Sequence, residues 1–324
     1  MQYIDAKQIE ELSPYAVLMD SLDEAFRSDI EVPVRQHYAI DKEDPARTTL
    51  LAMPAWEAQD YIGFKLVTVC PLNQDRPSIQ GSYILMDSLT GQTLAMMDAP
   101  ELTARRTACA SALASRYLSR ETSKTHLIIG TGKLAPYFAE AHRAARPINQ
   151  TLVYGRNKDK AEATVNVLSA KGMNAAVVDS LETAVKQADI ITCVTSSKKA
   201  VIDGNWVQAG THVDLAGAYL PDMRESDDAL IKRARLFCDT FAGATKEAGD
   251  LRLPLDAGLI TLDSIEADLP ALARSNAPVR RSDDDITLFK SVGCAHEDYA
   301  AAKLIYRSLE DCPPATSRGK IYID

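Results

Sequence analysis

The chain has 324 residues, of which 46% are hydrophobic and 25% are charged, and its formal net charge is −9 at pH 7. This length allows two domains with a large core, and the composition is typical of a globular protein. The negative charge argues against nucleic acid or an anionic membrane as the main partner. No apolar run approaches the roughly twenty residues of a membrane span, and the N-terminus has no secretory signal pattern.

The cysteines and histidines form no recognisable ligand pattern. The six cysteines have no C-x-x-C spacing, so we expect reduced core thiols in a cytoplasmic protein. They are Cys70, Cys109, Cys193, Cys238, Cys294 and Cys312. The five histidines show no spacing such as H-E-x-x-H, so no metal site is predicted and structural or surface roles are expected. Only His296, between a predicted strand and a predicted helix, occupies a position typical of an α/β active site.

The first 120 residues predict a helix, a sheet and a second helix. Ser13 can cap a helix that begins at Pro14, with Leu18, Leu22 and Phe26 forming its apolar stripe. Turns then separate apolar, β-branched runs, which indicates a mostly antiparallel sheet with strands at 48–53, 61–69 and 82–86. An alanine-rich helix follows from about 100 to 119.

From residue 125 onward, short apolar strands alternate with helices. The predicted strands cover 126–129, 151–154, 175–178, 189–194, 212–215, 235–239 and 285–290. Helices are expected from about 158, at 181–187 and at 297–309. This alternation predicts an α/β fold with a parallel, doubly wound sheet that is covered on both faces.

A glycine-rich turn joins the first of these strands to a helix. Its sequence is Gly130-Thr131-Gly132-Lys133-Leu134-Ala135, which matches G-x-G-x-x-A. In a Rossmann unit the first glycine permits the turn, the second lets the backbone approach a pyrophosphate, and the small third residue lets the helix pack on the strand. The helix N-terminus then attracts the anion. The pattern therefore predicts dinucleotide binding at these six residues.

The end of the second strand indicates which dinucleotide is bound. Arg156-Asn157 occurs about twenty residues beyond the glycines, where an NAD-binding protein usually has an acid. Lys158 and Lys160 follow, and cations suit the 2′-phosphate of NADPH. The alternative is a surface turn with a solvated basic cluster. We predict NADPH as the preferred cofactor, with NADH possible, and Arg156, Asn157 and Lys160 as cofactor-binding residues.

Three cations in the first half are candidates for holding an anionic substrate. Arg35 follows an apolar run, Lys65 lies within a predicted strand, and Arg106 lies in a small, apolar helical stretch. Lysine is rarely buried without a partner, and the alternation of a strand leaves open that Lys65 faces solvent. Each cation alone is compatible with a solvated side chain. Together in a cleft they would clamp a carboxylate, with arginine supplying bidentate geometry.

Ordered segments over nearly the whole chain resemble the ornithine cyclodeaminase/μ-crystallin family. The matching segments are Pro33-Val34-Arg35, Met53-Pro54-Ala55, Lys65-Leu66-Val67, Thr103-Ala104-Arg105-Arg106-Thr107-Ala108, Gly130-Thr131-Gly132, 217–225, 246–250, Phe289-Lys290-Ser291-Val292-Gly293, Glu297-Asp298 and 301–306. So many ordered matches are more specific than a single glycine motif.

The resemblance implies a Rossmann domain at 121–293 inserted into an α+β domain, 1–120 plus 294–324, that binds substrate and forms a homodimer. It implies that Arg35, Lys65 and Arg106 hold the substrate α-carboxylate, with Lys65 nearest the reacting atoms as the catalytic residue. Cofactor contacts are implied for Thr107, for Cys193-Val194-Thr195 beside the adenosine half, and for Val292 and Gly293 beside the nicotinamide.

Two departures from the cyclodeaminase pattern indicate a different branch of the family. Cyclodeaminases have an aspartate where this chain has Tyr219 and a glutamate where it has Leu51, and a deaminase needs carboxylates to bind the second amine and manage protons. Arg156-Asn157 likewise resembles the NADPH-using branch. The expected function is therefore reduction of a cyclic ketimine, Δ1-pyrroline-2-carboxylate to L-proline and also Δ1-piperideine-2-carboxylate to L-pipecolate.

Three other functions remain open from the sequence. The protein could be an alanine dehydrogenase-like or N-alkyl amino-acid dehydrogenase that builds an open-chain imine from a keto acid and an amine. It could be an ornithine cyclodeaminase, or a non-catalytic NADPH-binding protein like the μ-crystallins. Fold membership alone does not decide between them.

Overall fold

The computed structural model describes residues 1–41, 43–44, 47–275 and 277–311. The chain divides into two compact units, Met1–Thr107 together with the C-terminal residues from Ala295, and Ala108–Cys294. The first division falls after Thr107, thirteen residues before the predicted boundary at residue 120. Cys312, expected to be a reduced thiol, lies outside the described residues.

The elements of the first unit begin at the N-terminus. They are β1 (Gln2–Ile4), α1 (Ala6–Leu12), α2 (Tyr15–Arg27), β2 (Gln36–Ala39), β3 (Thr49–Trp56), β4 (Tyr61–Val69), β5 (Ile79–Asp87), β6 (Thr93–Asp98) and α3 (Ala99–Leu118), whose last eleven residues belong to the second unit. The sheet has the order β1-β6-β5-β4-β3-β2, with β1 and β6 parallel and the other pairs antiparallel. The prediction of a mostly antiparallel sheet is confirmed.

The start of the chain departs from the prediction in one detail. Helix α2 begins at Tyr15 with Pro14 as its N-cap, and Ser13 instead ends helix α1, which the sequence analysis missed. Asp5 and Gln8 form a capping box at the start of α1, which is the signal that could have revealed it. The predicted apolar stripe of α2 is buried as expected, with Leu18, Leu22 and Phe26 in the core.

The second unit contains a parallel sheet flanked by helices. Its elements are β7 (Thr125–Ile129), α4 (Ala135–Ala145), β8 (Gln150–Tyr154), α5 (Lys158–Ala170), β9 (Ala175–Val177), α6 (Leu181–Gln187), β10 (Ile190–Cys193), β11 (His212–Leu215), α7 (Asp228–Arg233), β12 (Arg235–Cys238), α8 (Phe241–Glu247), α9 (Gly249–Asp256), a 3-10 turn (Leu262–Ser264), β13 (Ile265–Asp268), α10 (Leu269–Arg274) and β14 (Thr287–Lys290). The sheet order is β13-β12-β14-β11-β10-β7-β8-β9, with every pair parallel.

This sheet confirms the predicted doubly wound α/β fold. The residues of β10, β11 and β14 are buried throughout, as expected for strands covered by helices on both faces. The last helix, α11 (Ala295–Asp311), belongs to the first unit and packs on α2, β3 and β4. The Rossmann unit is therefore inserted into the other unit, as the resemblance implied. No helix in the described ranges is both long and apolar enough to cross a bilayer.

Three histidines of the second unit are buried and structural. His126 bonds the Thr192 hydroxyl at 2.9 Å, and His212 bonds the Thr287 hydroxyl at the same distance. His142 Nδ1 lies 3.0 Å from a backbone carbonyl oxygen. Burial lowers the pKa of His126 and His212 well below the ordinary value and that of His142 to about 4, so all three rings are neutral at pH 7. His296 packs its ring against Phe26.

Candidate active site

A buried cluster of charges lies in the first unit between strand β4 and helices α3 and α11. Lys65 Nζ is 2.6 Å from Asp298 Oδ2, and the other oxygen of Asp298 accepts a hydrogen bond from Arg106 Nε at 2.8 Å. A second nitrogen of Arg106 bonds Glu297 at 2.5 Å. Lys65 is 2% exposed and Arg106 is 4% exposed, so the alternative that these cations are solvated is wrong.

The alternation of strand β4 explains why Lys65 is buried. Gly63, Lys65 and Val67 lie on the buried face of the strand, while the intervening side chains are less covered. Lys65 is paired with Met53 on β3 and with Tyr83 on β5. A lysine surrounded by sheet in this way requires a negative partner, and Asp298 at the start of α11 supplies it.

Arg35 completes the group of three predicted cations. It is half-buried and lies just before β2. Its charge is close enough to lower the pKa of Lys65, together with Arg106. The cluster therefore contains three cations, which are Arg35, Lys65 and Arg106, and two carboxylates, which are Asp298 and Glu297. The structure brings Lys65 and Arg106 together around Asp298 and places Arg35 within electrostatic range of Lys65.

The pKa of Lys65 follows from this environment. Desolvation by burial is the largest effect and the nearby Arg106 charge the second, and they lower the pKa from 10.5 to about 8 despite the opposing effect of Asp298. Although burial opposes it, the charges of Arg106 and Lys65 lower the pKa of Asp298, so its carboxylate is ionised. Lys65 can therefore exchange a proton near neutral pH, which is the property of a general acid.

The sequence analysis assigned no role to Asp298, Glu297 or Tyr83. A buried lysine needs a carboxylate partner, which was a usable signal, but many acidic residues of the sequence could have been that partner. Tyr83 is paired with Lys65 and 1% exposed, and a Cβ built on Gly63 would lie 1.9 Å from its hydroxyl oxygen. A larger residue than glycine at position 63 would therefore have to displace the Tyr83 hydroxyl.

In the second unit, the glycine-rich turn has the geometry of a pyrophosphate cradle. Gly130 has φ +124°, which favours glycine, and a Cβ there would lie 2.6 Å from the Val194 carbonyl oxygen. A Cβ on the exposed Gly132 would meet no atom within 4 Å, so its backbone is open to a ligand. Ala135 is fully buried where α4 packs on the sheet. The three positions thus fit the roles expected of them.

The residues around the cradle differ in exposure. Lys133 is exposed, and Leu134 is the N-cap of α4. The methyl group of Thr131 packs against Gly155, where an added Cβ would lie 2.5 Å from it. Thr107, in α3, donates its hydroxyl to the Thr103 carbonyl at 2.7 Å.

The basic turn after β8 is exposed, and one of its residues, Asn157, caps the following helix. The Asn157 carboxamide oxygen accepts from the Lys160 backbone N–H at 2.9 Å and so caps α5. The side chains of Arg156 and Lys160 extend from an exposed surface. Lys158 pairs with Asp179 at 3.3 Å. Arg156 and Lys160 are therefore the two cations of this turn available to an anion.

A network of buried charges supports the carboxyl ends of β10, β11 and β14. Glu225 Oε1 accepts from the backbone and hydroxyl of Thr195 at 2.7 and 2.9 Å. Its second oxygen accepts from Gly217 and Ala218 at 2.8 and 3.0 Å. The network was missed because its members come from separate loops, although the segments that contain them carried the family resemblance.

Lys290 balances the negative charge of this network. Its ammonium is 2.9 Å from Asp250 and 3.7 Å from Glu225, and all three side chains are fully buried. Although burial opposes it, the nearby carboxylates raise the pKa of Lys290, so it remains charged. Cys193 is buried beside the network, and desolvation raises its pKa well above the ordinary value, so its thiol is neutral. Val292 is half-buried and Gly293 buried, directly beyond Lys290.

Comparisons with known proteins identify the family of this chain. Residues 3–312 match the model of the ornithine cyclodeaminase/mu-crystallin family. A Δ1-pyrroline-2-carboxylate reductase of Colwellia psychrerythraea is 36% identical over 96% of this chain and 100% of its own. A Thermococcus litoralis structure described as the same reductase in complex with NADH and L-proline has a TM-score of 0.90, 31% identity, and coverage of 98% of this chain and 100% of its own.

A further solved structure is an archaeal alanine dehydrogenase dimer with bound NAD. It has a TM-score of 0.89 and 28% identity, and covers 99% of both chains. The same architecture therefore occurs in proteins with different named activities. The family match spans nearly all of the sequence, so this chain belongs to the ornithine cyclodeaminase/mu-crystallin family.

Proposed function

We propose that this protein is an NADPH-dependent reductase of small cyclic imino acids. It would convert Δ1-pyrroline-2-carboxylate to L-proline and Δ1-piperideine-2-carboxylate to L-pipecolate. The observation that carries the proposal is the buried group of Lys65, Arg106 and Asp298 in the first unit. The name of the similar Colwellia reductase and the proline bound in the Thermococcus structure support it.

The substrate carboxylate would bind to Arg35, Lys65 and Arg106. Asp298 pairs with both Lys65 and Arg106, and Glu297 pairs with Arg106, so these carboxylates hold the two buried cations in place for a substrate carboxylate. Arg106 has its guanidinium plane fixed by Asp298 and Glu297, so little side-chain entropy is lost when a ligand binds. Burial of Lys65 and Arg106 excludes water and strengthens each ionic contact.

The cofactor supplies a hydride to the imine carbon when it is bound. The chain itself contributes orientation, because the cations fix the carboxylate next to the reacting carbon. We assign Lys65 as the catalytic residue, with its ammonium beside the imine nitrogen. It would donate a proton to the nitrogen of the neutral imine, which makes the adjacent carbon electrophilic, and its pKa of about 8 allows this transfer near neutral pH.

This assignment predicts a pH dependence of the reaction. Lys65 is protonated below pH 8 and loses its charge above it. The value of kcat/KM for imine reduction should therefore be level at its optimum and fall about tenfold per pH unit above about pH 8. The pH profile of kcat/KM measures this, and a spectroscopic titration of the imine alone identifies any part of the limb that belongs to the substrate. A profile that stays level to pH 10 would exclude the assignment.

We propose that the cofactor is NADPH rather than NADH. The glycine turn fits a pyrophosphate, and the exposed Arg156 and Lys160 would contact the 2′-phosphate. Asn157 would contribute the cap that fixes this turn. The adenosine half would lie beside Cys193, Val194 and Thr195. The nicotinamide would lie beside Val292 and Gly293. Thr107 completes the proposed cofactor contacts.

Replacing Arg156 by aspartate should reverse the preference between the cofactors. The substitution removes charge-assisted hydrogen bonds worth about 1.5–3 kcal/mol and adds repulsion, so the dissociation constant for NADPH should rise at least tenfold, to about 100-fold. Binding of NADH should change little. Fluorescence titration with each coenzyme measures this, with Lys158→Asp as the control, because Lys158 pairs with Asp179. Unchanged NADPH binding in the Arg156 variant would refute the placement.

We also propose a homodimer that acts in the cytoplasm. The first unit exposes apolar side chains that a second copy could cover, namely Val34, Tyr38, Ile40, Leu72 and Ile79.

Within the described part of the chain, no disulfide joins the cysteines, which suits a reducing compartment.

A substrate panel tests the proposed function. The purified protein is given NADPH or NADH with each cyclic imine, or with pyruvate plus ammonia, and coenzyme oxidation is followed. We expect turnover with both cyclic imines, faster with NADPH, and L-proline or L-pipecolate as product. Turnover that requires ammonia would favour the second candidate, suggested by the similar alanine dehydrogenase. Silence with both imines would overturn the proposal.

A further inference from the structure

The strand order assigns the two halves of a dinucleotide to different parts of the sheet. The chain adds β8 and β9 on one side of β7 and then returns to place β10 on the other side, so the order reverses between β7 and β10. Ligands of such sheets bind outside the carboxyl ends of the strands at this point. Gly130 and Arg156 follow β7 and β8, where the adenosine half would bind. The nicotinamide half would therefore lie beyond β10, β11 and β14.

The turn of residues 291–293 lies at this edge, since it directly follows β14. One oxygen of Asp239, Oδ2, bonds each of the turn's three residues, and the Ser291 backbone N–H also donates to the Leu215 carbonyl at 3.1 Å. Asp239 Oδ2 accepts hydrogen bonds from the Ser291 hydroxyl at 3.2 Å and from the backbone N–H groups of Val292 and Gly293, both at 2.7 Å. Gly293 has φ +79°, a left-handed backbone conformation that favours glycine. One carboxylate thus bonds all three residues of the turn.

Asp239 is itself tightly fixed. It directly follows β12, its N–H donates to the Lys290 carbonyl at 3.0 Å, and its Oδ1 accepts from the Thr240 N–H at 2.6 Å. The side chain is fully buried. A buried carboxylate must be satisfied by donors, and each of its oxygens has donors here. Asp239 therefore links the turn after β14 to the end of β12.

Helix α8 limits the turn from a second side. A Cβ built on Gly243 would lie 3.1 Å from Val292 Cγ2 and 3.0 Å from Thr240 Oγ1. These distances are shorter than a relaxed carbon contact, so an alanine at this position would displace Val292 by a few tenths of an ångström. Gly243 therefore sets how closely Val292 approaches the helix.

We propose that Asp239 is a positioning residue that fixes the 291–293 turn against the nicotinamide half of the coenzyme, with Gly243 setting the place of Val292. The inference rests on the proposed function only in that a nicotinamide coenzyme binds. It requires no particular imine.

The first test replaces Asp239 by asparagine. Asparagine offers one acceptor and one donor group, so it cannot hold both the turn and Thr240. NADPH affinity should fall about tenfold with the loss of one or two of these hydrogen bonds, whereas an adenosine-half probe, adenosine 2′,5′-bisphosphate, should bind within about twofold of wild type. The matched control is Asp268→Asn at the end of the neighbouring strand, because the Asp268 carboxylate caps α10 and asparagine is an equally good cap.

The second test is Gly243→Ala, which separates positioning from stability. Alanine has a higher helix propensity than glycine, which offsets the close contacts of its Cβ with Thr240 Oγ1 and Val292, so the melting temperature should change little. NADPH should nevertheless bind about threefold or more weakly and turn over more slowly, because Val292 is displaced, while binding of the probe is unchanged. A purely structural role of this region would not weaken coenzyme binding in a protein that melts no earlier.

The outcomes are decisive in both directions. The inference is overturned if both variants bind NADPH as wild type does, or if NADPH and the probe weaken by the same factor. If Asp239→Asn does not fold, Gly243→Ala alone decides. A wild-type protein that binds NADPH but reduces neither imine would remove the proposed function and leave these binding measurements valid.

Discussion

Replacing Arg106 by lysine is expected to lower kcat/KM for imine reduction by about 100-fold, although the charge is kept. Lysine cannot donate to Asp298 and Glu297 and also present a planar pair of N–H groups to the substrate. The loss corresponds to one or two charge-assisted hydrogen bonds of about 1.5–3 kcal/mol each. Steady-state kinetics should show a raised KM and a lowered kcat, because the same side chain orients the carboxylate in the transition state.

The neighbouring Arg105 provides the control for this substitution. It is also 4% exposed, but it donates to the Ser13 hydroxyl and carbonyl and lies 4.3 Å over the Tyr15 ring. Arg105→Lys should lower the melting temperature and leave kcat/KM within about threefold of wild type. Equal kinetic losses in the two variants would show that Arg106 acts only on stability.

Replacing Lys65 by methionine should have the largest effect of all, a fall in kcat of about 1,000-fold. General acid catalysis contributes about 10²–10⁴-fold, and the variant loses both the proton donor and a positive charge next to the imine. The melting temperature should fall because Asp298 Oδ2 loses its buried partner, but methionine fills a similar volume and Asp298 keeps its contact with Arg106, so kcat is measured well below the melting temperature. Single-turnover measurement at saturating coenzyme and imine isolates the chemical step.

Lys303→Met controls for the loss of a lysine in the same unit. Lys303 is partly exposed and pairs with Asp60 and, at 2.7 Å, with Glu57, neither of which belongs to the charge cluster. We expect nearly wild-type kcat in this variant. A Lys65 variant that keeps a tenth or more of the wild-type kcat would contradict the catalytic assignment.

Local signals predicted the strand and glycine-rich turn at 126–135 well. The strand before Gly130, the glycine spacing and the small residue at 135 are read directly from adjacent residues, and the structure reproduces the expected turn with its positive φ. Seven strands of the parallel sheet were also predicted from their apolar runs, but β13 (Ile265–Asp268) was missed. Short helices such as α7 and α10 were missed, since they contain fewer than two turns and carry no clear period.

The charge cluster could be predicted only in part. Lys65 and Arg106 were identified as unusual cations, but their shared partner Asp298 comes from the last helix of the described chain. Which acid meets a buried lysine depends on sheet register and on how the final helix packs, and neither is encoded near Lys65 in the sequence. The same reason explains why Asp239 was missed, because its contacts at 291–293 arise only from the adjacency of β12 and β14 in the sheet.

A crystal structure of the protein with NADP⁺ and L-proline would test the proposed substrate site most directly. We expect the proline carboxylate within about 3 Å of side-chain nitrogens of Arg35, Lys65 and Arg106, with the ring nitrogen next to Lys65 Nζ. Proline bound elsewhere, or a carboxylate held without Lys65 and Arg106, would contradict the central claim that these buried cations bind the substrate.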